Sequence, residues 1–433
     1  MNVVARPIAL DGAGAYWSLR AVELVRIALL VLVVANLGRL PAFDTGGRSA
    51  PILLNDVAVG LAIVGGMTAS IAGRRLVLDR IALLALAFAA VGAGSAALSA
   101  HEYGLTTMEL AVSLAYLARW LFYFALYVVV VNVTRGADVP ALRQALEKTV
   151  LVFAAFGIVQ AALLPDFAQI VYPESRVMHD WDRQAHRLVS TLLDPNFAGM
   201  LILMGLFLQL ARLASGVPVM LWQPVLLFAA LLLTASRSSV LALLAGGMVV
   251  VLVRGVSARM LKAMVIGGAL TLLALPGLIV FANAYNKLTL DASALGRVFM
   301  WLRGIMVIID HPWLGIGFNT FGFVQERYGW ERLGANTYSI EGGLLFVTVM
   351  TGVVGLALYL LMLRQLFRRC RALWRGAQAD RERWSLAVAT AAITVALLVH
   401  SCFTNSLFLP YLMEPLWVLW GMVSVLAREG RSA

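Results

Sequence analysis

Long apolar runs separated by short polar segments make up most of the chain. Each run holds roughly 18 or more predominantly apolar residues, which is enough for an α-helix to cross the hydrocarbon layer of a membrane. The pattern therefore predicts about twelve membrane-spanning helices. Their approximate positions are 22–40, 52–72, 80–99, 112–133, 149–165, 195–214, 217–234, 238–254, 262–284, 342–363, 386–403 and 407–427.

Arginine and lysine cluster in alternate connecting segments. Cytoplasmic loops of membrane proteins carry an excess of these residues. With twelve spans all the clusters fall on one side, so we expect that side, and both termini, to be cytoplasmic. The clusters are Arg6 and Arg20; Arg74, Arg75 and Arg80; Arg135, Arg143 and Lys148; Arg254, Arg259 and Lys262; Arg364, Arg368, Arg369, Arg371, Arg375, Arg381 and Arg383; Arg428 and Arg431.

The opposite side receives two long connections, which we predict to be extracytoplasmic loops at 166–194 and 285–341. Such loops are normally poor in arginine. Here they and the short turn at 235–237 carry several, which favours a functional reason over solvated loop charges. The whole chain, 1–433, is predicted to be a single transmembrane domain. The arginines are Arg176, Arg183, Arg187, Arg237, Arg297, Arg303, Arg327 and Arg332.

Composition supports the membrane class and excludes others. Of the 433 residues, 61% are hydrophobic and 13% are charged, whereas soluble domains average about 25% charged residues. The net charge of +11 does not indicate nucleic-acid binding, because no basic patch interleaved with aromatic residues occurs outside short loops. Cys370 and Cys402 lie near the ends of different spans and form neither a metal-binding spacing nor a disulfide framework.

Two short segments bring arginine to the start of a predicted span. Arg187 precedes an Asp194-Pro195-Asn196 turn, in which Asp194 can cap the helix and Pro195 suits its first turn. A simple helix start explains the turn but not the arginine. Arg237 lies in a tight Ser/Ala turn between two apolar runs, where it needs an anion, a water-filled cavity or lipid headgroups.

The stretch from Leu295 to Gly317 predicts a short helix at a membrane surface. Arg297 and Trp301 are four residues apart and would share one side of it, with Arg303 one turn further on. An amphipathic interfacial helix, with the tryptophan in an aromatic belt and Arg303 on lipid phosphate, explains the same pattern.

Glu341 ends the second long loop, where the next span enters the membrane. A carboxylate at a helix N-terminus is favoured by the helix dipole alone. The functional interpretation is a general base beside arginines that stabilise its charge.

Together these segments predict several guanidinium groups at one membrane face. Guanidinium groups pair with phosphate oxygens two at a time and stay charged at any relevant pH. The natural ligand is a diphosphate attached to a membrane lipid. No Asp/Asn/Glu cluster resembles a divalent-metal site, so we predict no metal and no cofactor, with the arginines balancing the charge.

Over roughly residues 187–355 the chain resembles the O-antigen ligase and polymerase superfamily of bacterial envelope-polysaccharide assembly (the Wzy/WaaL group). The matching residues are Arg187, Thr191 and Asp194-Pro195-Asn196; Ser236-Arg237-Ser238; and Gly296-Arg297, Trp301 and Asp310-His311-Pro312-Trp313-Leu314-Gly315-Ile316-Gly317.

The resemblance implies an all-α, polytopic, GT-C-like glycosyltransferase of the bacterial inner membrane. Its extracytoplasmic loop would contain short amphipathic helices, and its site would face the periplasm. Donor and acceptor would be undecaprenyl-diphosphate-linked glycans, the donor being attacked with inversion and without a metal or cofactor. A chain-length regulator and a flippase are candidate protein partners. The residues that match the family's diphosphate-binding arginines are Arg187, Arg237 and Arg297.

One departure from the family pattern concerns the base. Ligases of the family usually carry a His-Asn pair before the span that follows the long loop, and Glu341 takes the place of that histidine here. We therefore expect a polymerase with Glu341 as base. Substrate contacts are assigned to the same three arginines and to Arg303, Trp301, Tyr338 and Asn196. The alternatives are a ligase that transfers glycan to lipid A core, with His311 or His186 as base, and a polysaccharide or anion transporter or flippase.

Overall fold

The computed structural model describes residues 12–34, 36–44, 49–73, 76–173, 187–255, 290–330, 340–376 and 380–430. Within these ranges the chain is largely helical, which confirms the predicted all-α membrane class. The helices are α1 Gly12–Val31, α2 Leu54–Ala72, α3 Arg80–Glu102, α4 Thr107–Val133, α5 Val139–Leu163, α6 Phe167–Val171, α7 Pro195–Ser215, α8 Trp222–Leu233, α9 Arg237–Arg254, α10 Leu290–Asp310, α11 Phe321–Arg327, α12 Gly343–Gly376, α13 Arg381–Ser401 and α14 Pro410–Glu429.

In the described part of the chain, nine helices are long and apolar enough to cross a membrane, namely α2, α3, α4, α5, α7, α9, α12, α13 and α14. The span predicted at 217–234 is shorter than expected. It forms α8, whose 12 residues extend about 18 Å, less than a hydrocarbon core of about 30 Å, so the non-helical residues 216–221 cover the remaining distance between the end of α7 and the start of α9. The span predicted at 262–284 lies outside the described residues.

The first predicted span, 22–40, is wrong in position. Helix α1 begins ten residues earlier and ends at Val31. Its first half, residues 12–21, lies before the predicted span. In its second half Glu23 and Arg26 form an ion pair, at 2.6 Å across one helical turn.

A β-hairpin occupies the connection between the first two predicted spans, 22–40 and 52–72. Strands Arg39–Asp44 (β1) and Ser49–Leu53 (β2) pair antiparallel. Pro41 and Pro51 argue against strands in the sequence, but in a two-stranded hairpin both strands are edges, where proline is tolerated.

Helix α14 lies at the centre of the bundle. All of its residues from 410 to 427 are buried inside the protein. It packs against α4, α12 and α13, while α13 also packs along α7 and α9. Helices α4, α7, α9, α12, α13 and α14 thus form one continuous helical body.

Helix α12 is interrupted at Gly352, where its backbone packs against the turn formed by residues 312–317. Gly352 adopts φ 61°, ψ −167°, a conformation essentially restricted to glycine. The amides of Ile316 and Gly317 donate to the carbonyls of Val349 and Met350, both at 2.9 Å. The turn therefore supplies hydrogen bonds that the broken helix loses.

The same turn accepts hydrogen bonds from the far side of the break. The Val353 amide donates to the Pro312 carbonyl at 2.8 Å, and the Val354 amide donates to the Trp313 carbonyl at 3.2 Å. A side chain at Gly352 would collide with the Trp313 backbone. Residues 312–317 thus form a backbone clamp that fixes the direction of the first turns of α12. Glu341 lies just before that helix.

Each end of the helical bundle is named after one residue. The Arg297 face holds the starts of α7, α9 and α12 and the end of α13. The Arg143 face holds the opposite ends of these helices. Helix α10 spans 21 residues, so the helix that carries Arg297 is longer than the short helix predicted.

Candidate functional site

Asp194 begins the first segment of the site in the way its sequence predicts. Its carboxylate accepts hydrogen bonds from the amides of Asn196 at 2.8 Å and Phe197 at 3.1 Å, and Pro195 occupies the first helical position of α7. Two of the amides that this helix start would leave without partners are thereby satisfied, and Pro195 has no N–H to satisfy.

Arg187 fastens this segment to the end of α8. Its Nε donates to the Thr234 carbonyl at 2.8 Å and its Nη2 to the Ala235 carbonyl at 3.2 Å. Next to it, the Leu188 amide donates to the Leu233 carbonyl at 3.0 Å. Arg187 is therefore a cation that holds the turn between α8 and α9.

That turn carries Arg237. Ala235 has a positive φ of 48°, which reverses the chain sharply, and Ser236 caps α9 by accepting from the Ser239 amide at 3.3 Å. Arg237 is the first residue of α9 and is exposed. Among the described residues its guanidinium has no hydrogen-bond or ion-pair partner.

Arg297 and Trp301 hold Glu341 from one side of α10, as their spacing of four residues predicts. Arg297 Nε donates to Glu341 Oε2 at 2.6 Å, and Trp301 Nε1 donates to the Glu341 carbonyl oxygen at 2.5 Å. The side chain and the backbone of Glu341 are fixed together. The backbone can leave toward α12 because Gly342 has φ 144°.

The charges of these segments interact with one another. Burial lowers the pKa of Arg187 to about 10, the Asp194 carboxylate opposes that shift, and the positive charge of Arg237 adds to it. At neutral pH Arg187 therefore remains a cation. Arg237 and Arg297 are close enough for their positive charges to repel each other.

Asp194 completes the cluster. Burial raises its pKa, the two capping amides and the charge of Arg187 lower it, and the negative charge of Glu341 raises it again. Four segments, 187–194, 235–237, 297–301 and 341, therefore bring their charged groups into one electrostatic site. An anion near Arg237 and Arg297 would relieve the repulsion between them.

The other residues expected to contact substrate lie in different surroundings. Arg303 lies six positions after Arg297, so it points well away from it around the helix. It donates to Gln325 Oε1 at 3.5 Å and lies 5.3 Å from the centre of the Trp330 ring. Asn196 Oδ1 accepts from Ser236 Oγ at 2.9 Å. Tyr338 lies outside the described residues.

Of the two histidines considered as alternative bases, His311 is described and does not contact Glu341. His311 Nε2 contacts the Tyr103 hydroxyl and lies 3.7 Å from Glu102 Oε1. It lies 14 residues after Arg297, which corresponds to about 21 Å along the axis of α10. His186 lies outside the described residues.

Sequence reasoning missed His400, at the end of α13. It is fully buried, and its Nε2 lies 3.1 Å from Ser238 Oγ and 3.2 Å from Ser239 Oγ. The available signal was a histidine in the last turn of an apolar span, followed by the polar stretch 401–406. That signal does not indicate which distant segment the ring contacts.

Part of the chain is similar to a known protein family. Residues 224–360 match a family model described as O-Antigen ligase. The matched segment contains Arg237, Arg297, Trp301, Glu341 and the clamp on α12, while Arg187 lies before it. No curated protein matches the chain significantly. The match supports the O-antigen ligase and polymerase superfamily without selecting one activity within it.

Proposed function

We propose that this chain, placed by residues 224–360 in the O-antigen ligase and polymerase superfamily, is a membrane glycosyltransferase that polymerises lipid-linked oligosaccharides. The donor would be a glycan on undecaprenyl diphosphate. The acceptor would be the non-reducing end of a second lipid-linked repeat unit. The product would be a longer glycan of the exopolysaccharide or O-antigen type.

The observation that carries the proposal is the set of open donors on Arg237 and Arg297. Arg237 has no partner among the described residues, and Arg297 uses only Nε on Glu341. The two terminal nitrogens of Arg297 have no hydrogen-bond partner in the described structure. Two guanidinium groups whose charges interact and whose donors are open match the paired oxygens of a diphosphate.

In the proposed step the acceptor hydroxyl oxygen forms a bond to the anomeric carbon of the donor, and the bond from that carbon to the diphosphate oxygen breaks. The bonding electrons leave with undecaprenyl diphosphate. Attack from the side opposite the leaving group inverts the anomeric configuration. Arg187, Arg237 and Arg297 would stabilise the charge that develops on the diphosphate, so the step needs no metal or other cofactor.

Glu341 is the proposed base that accepts the proton of the acceptor hydroxyl. Its Oε2 is held by Arg297, and its Oε1 accepts no hydrogen bond among the described residues. The open oxygen could receive the proton while the held oxygen keeps the carboxylate in place. Trp301 holds the backbone of Glu341 and could also contact a sugar ring, as could Tyr338, with Arg303 and Asn196 as further proposed contacts.

The polymerase is preferred to the ligase because an acidic residue, Glu341, stands where the ligases of the resemblance carry histidine. For the same reason the proposed acceptor is another lipid-linked repeat unit and not lipid A core. The proposed location is the inner membrane, with the Arg297 face toward the periplasm and both termini in the cytoplasm. A chain-length regulator and a flippase are the proposed partners.

The deciding experiment incubates the pure protein with a lipid-linked repeat unit in EDTA and sizes the product. We expect a ladder of longer glycans that remain on undecaprenyl diphosphate. Adding lipid A core as a competing acceptor separates the two enzymes, since glycan on lipid A core would establish the ligase. Movement of intact substrate across proteoliposomes without a new glycosidic bond would instead support transport.

The proposed orientation can be tested with the native cysteines. Cys402 is exposed just after α13 at the Arg297 face, and Cys370 is buried. Burial raises the pKa of Cys402, so labelling should be done at mildly alkaline pH. We expect a membrane-impermeant maleimide to label Cys402 from the periplasmic side.

The matched control for this orientation test replaces the native thiol and adds one at the other face. In the double variant Cys402→Ser, Arg375→Cys, labelling should require permeabilised membranes. Labelling of that variant in intact spheroplasts would contradict the orientation.

A further inference from the structure

His400 joins three of the helix ends that carry the proposed site. The ring contacts Ser238 and Ser239, which follow Arg237 directly. Its neighbour Ser401 lies against Gly343 so closely that a side chain at Gly343 would collide with the Ser401 hydroxyl. The end of α13 thus touches both the start of α9 and the start of α12, the helix that follows Glu341.

A chain of hydroxyl groups extends this contact to a third helix. Ser239 Oγ donates to Ser236 Oγ at 2.9 Å, and Ser236 Oγ donates to Asn196 Oδ1 at 2.9 Å. Asn196 belongs to the first turn of α7, which Asp194 caps. All four groups in this chain, from His400 to Asn196, are buried or half-buried, so each bond is shielded from competing water.

The direction of the chain fixes the tautomer of His400. A serine hydroxyl has one proton, and that of Ser239 is used on Ser236. Ser239 Oγ must therefore accept from His400 Nε2, which then carries the ring proton. Nδ1 is left as the acceptor for the hydroxyl of Ser406 at 2.6 Å or Thr404 at 3.1 Å. The hydrogen bonds therefore run in one direction through the neutral ring, each group donating to the next, from the 404–406 turn to Asn196.

This network surrounds Arg237, whose guanidinium has no partner among the described residues. Ser236, Ser238 and Ser239 bracket Arg237, and all three are hydrogen-bonded within the network. Because no described side chain holds the Arg237 guanidinium, its position depends on the backbone of this turn. A group that stabilises the charge of a transition state must be held in place before the reaction begins.

We propose that His400 is a positioning residue for glycosyl transfer, which fixes the start of α9 and thereby places Arg237 against the leaving diphosphate. This inference rests on the proposed function. His400 itself touches no substrate in this scheme. Its contribution requires the ring to donate through Nε2 and to accept through Nδ1 at the same time.

The test is a double-mutant cycle on the pure full-length protein, read by the transfer rate and by the affinity for inorganic pyrophosphate. We expect His400→Leu to lower the rate about tenfold, because the turn that carries Arg237 loses the hydrogen bonds that fix it. His400→Gln should recover part of the rate, because its amide can donate to the two serines. In an Arg237→Ala background, His400→Leu should cause no further loss, since its effect passes through Arg237.

Thr394→Val is the matched control on the same helix. It removes a buried hydroxyl that accepts from Trp420 Nε1 at 3.2 Å, about 9 Å from His400 along α13. We expect its melting temperature to fall about as far as that of His400→Leu, with an unchanged transfer rate. A merely structural His400 would instead lower the rate equally with and without Arg237, and that result would overturn the proposal.

Two further outcomes are also decisive. If His400→Leu does not fold, the same cycle is run with Ser239→Ala, which breaks the chain between His400 and Asn196, and additive losses with Arg237→Ala overturn the role. If the wild-type protein elongates no lipid-linked glycan, the proposed function fails, but the pyrophosphate cycle still decides. A fall in pyrophosphate affinity that requires Arg237 supports the positioning role, and equal affinities overturn it.

Discussion

Enclosed arginines at the Arg143 face are matched with carboxylates, whereas those of the proposed site are not. Arg143 bonds Glu147 and Glu382, both at 2.9 Å, and Arg212 bonds the same two carboxylates at 3.3 and 3.1 Å. Together they tie α5, α7 and α13 at one end. Their charges are neutralised within the protein, so the network is a structural joint.

The Arg297 face uses the same residue type differently. Arg187 bonds backbone carbonyls, Arg237 has no partner in the described structure, and Arg297 shares one carboxylate through Nε alone. Three guanidinium groups thus face the carboxylates of Asp194 and Glu341, and Asp194 is already bonded to two amides. The excess of positive charge and open donors is what a diphosphate would neutralise, and it distinguishes a binding site from a joint.

The largest expected effect comes from removing the open arginine. Arg237→Ala should lower the transfer rate about 10²- to 10³-fold, because a donor aimed at the leaving group is lost. Arg237→Lys should fall between that variant and wild type, since it keeps the charge but loses the paired donors.

Arg254→Ala is the control for this prediction. Arg254 is exposed at the other end of the same helix, and its removal should leave the rate unchanged. The measurement is polymer formed per minute by purified protein of equal folded content. An Arg237→Ala variant with a normal chain-length distribution would remove Arg237 from the site.

Glu341→Gln should give the next largest effect, a loss of about 100-fold or more, because an amide cannot accept the acceptor proton. Glutamine keeps the size of the side chain, so the hydrogen bond from Trp301 to the backbone should survive. Pyrophosphate affinity should stay the same or rise, since a negative charge is removed beside Arg297. Glu102→Gln, at an exposed carboxylate beside His311, should leave the transfer rate unchanged. A normal rate in Glu341→Gln would show that Glu341 is not the base.

Local features of the site were predictable from the sequence because they depend on short spacings. The Asp194-Pro195 start of α7 follows from capping preferences. The common side of Arg297 and Trp301 follows from the helical repeat. The membrane class follows from composition and from the length of the apolar runs.

Features that depend on distant partners were not predictable. Trp301 bonds the carbonyl of a residue 40 positions away, and His400 bonds serines more than 160 positions away. Gly352 breaks α12 only because the turn at 312–317 replaces the lost hydrogen bonds. No periodicity in the sequence indicates which backbone will fill such a break.

For the ion-pair network at the Arg143 face we expect the opposite pattern, a loss of stability with little change in the transfer rate. Arg143→Leu should lower the free energy of unfolding by about 3–5 kcal/mol, because it leaves buried Glu147 without its closest cation. The rate per folded molecule should stay within about twofold of wild type, since the site lies at the other end of the bundle. Thermal unfolding in detergent and the transfer assay measure the two quantities.

Restoring apolar pairing should repair the joint. The variant Arg143→Leu, Glu147→Leu should recover part of the lost stability, because no unpaired charge then remains between α5 and α7 at that point. Arg364→Leu, at an exposed position, should change neither quantity. A transfer rate that falls with Arg143→Leu while stability is unchanged would contradict the division between joint and site.

The smallest effect is expected at Arg303, which tests where the site ends along α10. Arg303→Ala removes a weak bond to Gln325 and a cation over the Trp330 ring, interactions of about 0.5–1 kcal/mol. The rate should therefore fall by no more than about threefold to fivefold, whereas Arg297→Ala should lose as much as Arg237→Ala. The comparison is made at saturating lipid-linked substrate. Equal losses at Arg297 and Arg303 would mean that bound substrate extends along α10 past Arg297, because the two side chains point in different directions around the helix.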